Sequence, residues 1–172
     1  MSPDSDAALL AAVAEGRLEA LRVLHHRHAP WLRARLVRRC GDPDLVQSAV
    51  QDTFVAVWRD AGRYRPADGA AGAWLWTIAI RKLVSALRGR PVPVTAEVTA
   101  TESAEDLVLR AVEHGDLGTA LNRLSPDLRA AIRATVLDGL TVKEAARLLG
   151  VPEGTVKTRV MRAKARLREL LT

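Results

Sequence analysis

Lys157, Arg159, Arg162, Lys164, Arg166 and Arg168 crowd into twelve residues near the end of the chain, with Thr158 and Met161 among them and Thr155 just before. Cations at this density neutralise phosphates, and a forked guanidinium can also grip a guanine edge in the major groove. Hydroxyl and thioether groups between them suit hydrogen-bonding or apolar contact with base edges. No acid/base machinery accompanies them. His25, His26 and His28 lie close together, and His25 and His28 can share a helix face, but no carboxylate or cysteine stands at a matching ligand spacing. They read as surface or core histidines. Cys40 is the single cysteine, which excludes an internal disulfide framework, points to a reducing compartment and reads as a small buried hydrophobe. The expectation is a binding protein with no catalytic residue, no cofactor and no metal.

The elements that must position these cations are punctuated in the sequence. Thr141 followed by Glu144 forms a capping box, each side chain satisfying a backbone donor of the other residue. Ala145, Ala146, Leu148 and Leu149 supply an apolar face, and Gly150 stands where a helix end favours a left-handed residue. Pro152 can open a second helix because its missing N–H would be unpaired there anyway, and Glu153 suits the positive helix terminus. Along this helix Val156, Val160, Ala163, Leu167 and Leu170 recur at spacings of four and three and form a core stripe. Thr155, Thr158, Arg159, Met161 and Arg162 are then expected on the opposite side, flanked by Lys157, Lys164, Arg166 and Arg168. A tight helix pair with a cationic second member fits the major groove of a duplex. A bare run of charge would read as a solvated helix, but cap, turn and stripe together favour the duplex.

The whole chain has 172 residues, room for two small domains. Residues 1–90 hold 14 Lys/Arg against 9 Asp/Glu, residues 91–116 hold 1 against 6, and residues 117–172 hold 11 against 5. Two basic blocks joined by an acidic strap suit a protein that meets a polyanion at both ends. The N-terminus lacks the pattern of a signal peptide, and no run approaches the ~20 apolar residues of a membrane span. A cytoplasmic protein is expected, with no added sensory domain after Thr172.

Period-two patterning is scarce and helix punctuation abundant, so the expected fold is all-α: a helical domain over residues 5–90, an acidic linker over 91–116 and a helical domain over 117–172. Asp6 to Val37 reads as one or two helices whose wall is Leu9, Leu10, Val13, Leu18, Leu21, Leu24, Leu32 and Leu36. Asp42 caps a helix that opens at Pro43 and runs to Ala61, ended by Gly62. Val46, Ala49, Val50, Thr53, Val57 and Ala61 share its core face; Asp44, Gln47, Ser48, Gln51, Asp52 and Arg59 share the other, with Trp58 at the border. Such a polar face is either solvated or docked on a partner helix. Tyr64 to Gly72 reads as a loop, followed by a helix from about Ala73 to Arg88 with Leu75, Ile78, Ala79, Leu83 and Leu87 inward. Thr77, Arg81, Ser85 and Arg88 line another side near Trp74. Cations beside an aromatic can hold an unstacked strand, although Trp74 and Trp76 read by default as core. Ser103 to Asp106 can cap a short helix through Glu113, and Ser125 and Pro126 start a helix over Asp127 to Leu137.

Three segments, in order, resemble the compact bacterial sigma factors of the extracytoplasmic-function type. LNRLSPDLRAAIRATVLDGLTVKEAARLLGVPEGTVKTRVMRAKARLREL is similar to the promoter-reading domain, GDPDLVQSAVQDTFVAVW to the polymerase-docking helix and AWLWTIAIRKLVSALR to the promoter-melting helix. The resemblance implies a dissociable subunit of RNA polymerase core that finds promoters and helps open them. It implies that Asp44, Gln47, Ser48, Gln51, Asp52 and Trp58 dock on the large catalytic subunits. Arg65, Asp68, Trp74, Thr77, Arg81, Ser85 and Arg88 would take a flipped base of the minus-ten element. Lys157, Thr158, Met161 and Arg162 would face base edges of the minus-thirty-five element, Lys143, Arg159, Lys164 and Arg166 would hold phosphates, and Thr155 would join the same contact surface. It also implies an anti-sigma factor as a partner, and a linker that threads the polymerase cleft, where Glu97, Glu102, Glu105 and Asp106 can mimic nucleic acid. Ser48 replaces a usual acid, Arg81 a usual Asn or His, and Ser85 a usual Asp. The alternatives are a polymerase-independent regulator of LuxR type, whose C-terminal part is similar, and a degenerate sigma that docks polymerase without melting DNA.

Overall fold

The structure, a computed structural model, describes residues 4–88 and 116–171, and among them every regular element is helical. The acidic strap, the interrupted alternation over Val92 to Val98 and the short helix expected through Glu113 lie outside the described residues. The chain divides into two compact units, Met1–Arg90 and Pro91–Thr172.

In the first unit, α1 (Asp6–Ala14) is capped by the Ser5 hydroxyl, which accepts from the amide of Ala8 at 3.2 Å. Gly16, at φ +83°, takes the left-handed turn into α2 (Leu18–Val37). A polar network ties the two helices together. Asp6 accepts from the Arg27 guanidinium and from His28 Nε2, the latter at 2.9 Å. Trp31 Nε1 can only donate, and it donates to His28 Nδ1 at 2.8 Å, so the imidazole proton belongs on Nε2. Burial pushes the Asp6 carboxyl up, but the hydrogen bonds from Arg27 and His28 outweigh it and hold the group below its ordinary value. His28 is a buried histidine with both ring nitrogens satisfied. His25 is exposed and lies against Phe54, ring centroids 4.7 Å apart.

Asp42 caps α3 (Pro43–Asp60) by accepting from the amides of Asp44 and Leu45 at 3.0 and 3.3 Å. The expected stop at Gly62 needs correction. α3 tightens into a 3-10 turn over Ala61–Arg63, so the end requires no left-handed glycine. A second 3-10 turn, Pro66–Asp68, leads to α4 (Ala71–Ala86), which begins and ends two residues before the sequence suggests. The six residues expected on the inner face of α3 are all buried, and Leu45, Phe54 and Ala56 join them. α4 packs on both α3 and α2. Its buried arc is therefore wider than one stripe: Ala71, Trp76, Ile80 and Val84 are buried beside Leu75, Ala79 and Leu83, while Ile78 and Leu87 are half-buried. Leu18, counted in the wall, is exposed at the first turn of α2. Cys40 is half-buried in the connection after α2.

In the second unit, residues 116–122 are helical, followed by α5 (Pro126–Ile132), α6 (Val142–Leu149) and α7 (Glu153–Leu171). Arg129 of α5 reaches back to the carbonyls of Leu121, Asn122 and Leu124 at 3.1, 2.7 and 3.1 Å, satisfying acceptors that a helix end leaves open. The helix expected over Asp127 to Leu137 does not stay α-helical. Arg133–Leu137 winds as a π-helix whose end is marked by the Asp138 amide donating five residues back to Arg133. The wider turn buries Ala134 and leaves Val136 and Leu137 exposed. The core of the unit is Leu121, Leu124, Ile132 and Ala163, with Leu117, Leu128, Val160 and Leu167 packed against it. Val156 and Ala163 are the fully buried members of the α7 stripe. No helix among the described residues is long and apolar enough to cross a membrane.

Candidate functional surfaces

The first helix of the pair, α6, is bounded at both ends by local chemistry, and the turn into α7 follows from its end. Thr141 accepts from the Glu144 amide at 3.1 Å while Glu144 accepts from the Thr141 amide at 2.8 Å, completing the capping box. Gly150 adopts φ +66° and ψ +34°, and the Val151 amide donates to the Ala146 carbonyl, closing α6. The amides of Thr155 and Val156 then donate to Pro152 and start α7. This frame presents Lys157, Thr158, Met161, Arg162 and Lys164 to solvent. Met161 is 64% exposed in the middle of that cationic face, where packing gives a thioether no reason to be. Lys143 is exposed on α6, and Arg166 is exposed with an ion pair to Glu169 at 2.7 Å.

Two residues depart from the expected outward placement. Thr155 and Arg159 are half-buried, and Arg159 Nη2 lies 3.3 Å from Asp127 Oδ2. Both line an open groove of about 570 Å³ between the start of α5 and α7, shared with Ser125, Asp127, Thr158 and Arg162. α5 packs against α7 along this edge; helical spacing alone puts Arg159 beside the core stripe, three residues after Val156 and four before Ala163, but does not say which helix covers it.

On α3 the outer residues Asp44, Gln47, Ser48, Gln51 and Asp52 are exposed, and Trp58 keeps 41% of its surface in solvent. Gln47 accepts from Arg33 of α2 at 3.1 Å. Val55, 65% exposed, belongs to this face and was missed. It stands four residues after Gln51 and three before Trp58, so helical spacing alone would have found it. Next to the face, the hydrogen bond from Arg59 holds the Asp60 carboxyl below its ordinary value.

The loop before α4 is tied to itself. Arg65 donates to the carbonyls of Gly62 and Tyr64, at 2.6 and 3.0 Å, and Tyr64 donates its phenolic proton to Gly69 at 3.0 Å. The Tyr64 ring lies 5.6 Å from half-buried Trp74. Asp68 is exposed in its 3-10 turn. Thr77 is half-buried and donates back to Ala73 at 3.0 Å, while Arg81, Ser85 and Arg88 follow it at helical spacing and are exposed. The two tryptophans separate. Trp76 is buried beneath Arg35 and Arg39, whose guanidinium carbons lie 4.7 and 5.7 Å from its ring centroid, and only Trp74 borders the loop. Among the described residues no group of three His, Cys, Asp or Glu is placed to hold a metal.

Comparison with known proteins places these surfaces in a family context. Residues 24–91 match the family described as "Sigma-70 region 2" and residues 114–167 the family "Sigma-70, region 4". The ECF RNA polymerase sigma factor SigM of Mycobacterium tuberculosis is 36% identical over 169 residues, covering 97% of this chain and 85% of that protein. RNA polymerase sigma factor CarQ of Myxococcus xanthus is 32% identical, covering 91% of this chain and 92% of that protein. A solved structure of CnrH in complex with the cytosolic domain of CnrY is similar at 32% identity and a TM-score of 0.46, covering 98% of this chain and 97% of that one.

Proposed function

The chain belongs to the extracytoplasmic-function sigma factors of the sigma-70 family, and from that premise we propose how its surfaces divide the work. It is a promoter-specific subunit that binds RNA polymerase core and acts in transcription initiation, with promoter DNA as its second partner. The observation that carries this is the ordered pair of region matches, one in each compact unit, within a relative aligned over nearly the whole chain. A polymerase-independent regulator has no use for a region 2 unit.

Residues 5–90 form the docking and melting domain, 91–116 the linker and 117–172 the upstream-reading domain. Asp44, Gln47, Ser48, Gln51, Asp52 and Trp58, joined by Val55, dock on the large catalytic subunits. A half-exposed aromatic beside an exposed valine within a polar rim has the composition of a binding hot spot. Arg65, Asp68, Trp74, Thr77, Arg81, Ser85 and Arg88 receive the minus-ten strand, where stacking on an aromatic offsets the few kcal/mol of unstacking a base. Arg81 offers only donors where Asn would offer both a donor and an acceptor, so base preference there differs from the family habit. Lys157, Thr158, Met161 and Arg162 read minus-thirty-five base edges, and Lys143, Lys164 and Arg166 hold phosphates.

Bond making belongs to the polymerase, and this chain acts as a binding subunit. Such work takes place in the cytoplasm. Antagonism by an anti-sigma factor and nucleic-acid mimicry by the acidic linker accompany this assignment. Cosedimentation with purified core polymerase, followed by sequencing of transcripts made on genomic DNA, tests it. Transcripts starting downstream of a shared two-part motif are expected; core that fails to retain the protein overturns the assignment, and retention without transcripts leaves a degenerate sigma.

A further inference from the structure

Arg159 stands within the most cationic stretch of the chain, yet its charge is directed inward. Its guanidinium lies in the groove between α5 and α7, 3.3 Å from Asp127, and the two side chains keep 26% and 71% of their exposure respectively. The acid therefore sits at the mouth of the groove and the cation behind it. A duplex phosphate approaching Arg159 meets the Asp127 carboxylate first. Thr158 and Arg162 line the same groove, so the acid also sets the field beside the base-reading positions.

We propose that Asp127 is a specificity-determining residue of the DNA-reading surface, one that withholds Arg159 from sequence-independent phosphate binding. The inference rests on the promoter-reading role of α7. Sequence-independent affinity grows with each phosphate neutralised, because each contact releases condensed counterions, and a cation already paired within the protein adds none. Selectivity is the ratio of specific to non-specific binding, so lowering the generic term raises it without any new base contact. An ion pair with one partner this exposed biases rather than locks, which makes the expected effect several-fold.

The test uses holoenzyme assembled from core polymerase and the full chain, titrated against two duplexes over a series of salt concentrations. One duplex carries the upstream promoter element and the other is scrambled. Asp127→Asn should bind the scrambled duplex several-fold more tightly, steepen the log–log salt dependence by about 0.9, and lower the ratio between the duplexes. Arg159→Ala should leave the wild-type salt slope unchanged, and adding Asp127→Asn to it should not steepen that slope, which separates release of the arginine from loss of the carboxylate's own repulsion. An Asp127→Asn slope equal to wild type, or a slope flattened by about 0.9 in Arg159→Ala, overturns the role of Asp127 while leaving promoter reading intact. Wild-type holoenzyme that does not distinguish the two duplexes overturns the promoter-reading role itself, and this inference with it.

Discussion

The outer face of α7 and the loop-side face of α4 are made of similar residues, cations beside hydroxyls and one soft or aromatic apolar group, but their side chains are held differently. On α7, Lys157, Thr158, Met161 and Arg162 have no side-chain hydrogen bond within the described residues, and the preceding helix α6 is bounded by a capping box and a left-handed glycine. On the α4 side, Arg65, Tyr64 and Thr77 donate to nearby backbone carbonyls, those of Gly62, Gly69 and Ala73. A rigid frame with uncommitted side chains suits an object whose shape is already set, such as duplex DNA. Side chains occupied with their own loop must exchange partners before they take a ligand, which suits a base that appears only after the duplex opens.

Breaking the proposed docking face should have the largest effect, because under the proposed function both DNA-contacting surfaces work through polymerase. Replacing Trp58 by Ala together with Val55→Asp should weaken core binding by ~2 kcal/mol or more, roughly 30-fold, as measured by displacement from labelled core. Affinity within twofold of wild type would move the docking site off α3. The comparison itself is sharpened by Trp74→Ala, expected to lose ~1–3 kcal/mol of stacking. Stable open complexes should fall while binding of upstream duplex by the holoenzyme is unchanged. Arg162→Ala should cost ~1–3 kcal/mol and relax selectivity at one base position, whereas Lys164→Ala should weaken all promoters alike. Equal loss of selectivity in both would show that the face of α7 is wrongly divided into base-reading and phosphate-holding residues.

The smallest effect concerns stability rather than DNA. The Asp6 carboxyl is held below its ordinary value by Arg27 and His28, so its contribution is complete above the ordinary carboxylate range and is lost as pH falls through the lowered value. Asp6→Asn should lower the melting temperature of the first unit at neutral pH and flatten its acid dependence, leaving the second unit unaffected. The partly exposed Arg27 pair limits this to ~1 kcal/mol. A wild-type acid profile matched by Asp6→Asn would remove the network from the account.

Much of this was legible because helix ends announce themselves locally. Asp42 with Pro43, Thr141 with Glu144, and Gly150 each answer the unsatisfied groups of a helix terminus within three or four residues, so the sequence places them closely. The inner stripe of α3 was equally plain. What periodicity could not supply depended on contacts between distant segments. Arg159 is paired because α5 sets Asp127 beside it, Arg129 caps a helix that ends several residues earlier, and Trp76 is covered because α2 and the turn after it bring Arg35 and Arg39 over its ring. The π-helical turn at Arg133–Leu137 lies within a run that reads as an ordinary amphipathic helix. At the candidate sites the residue types were readable, but their present partners, which decide how each surface responds to DNA, were not.

The division of labour is tested most directly by a combined footprint of the holoenzyme on one cognate promoter, scoring upstream protection and permanganate-reactive thymines downstream in the same reaction. The account predicts that Arg162→Ala lowers upstream protection and Trp74→Ala lowers thymine reactivity with upstream protection intact. Parallel loss of both signals in both variants, or their absence with the wild-type protein, would contradict it.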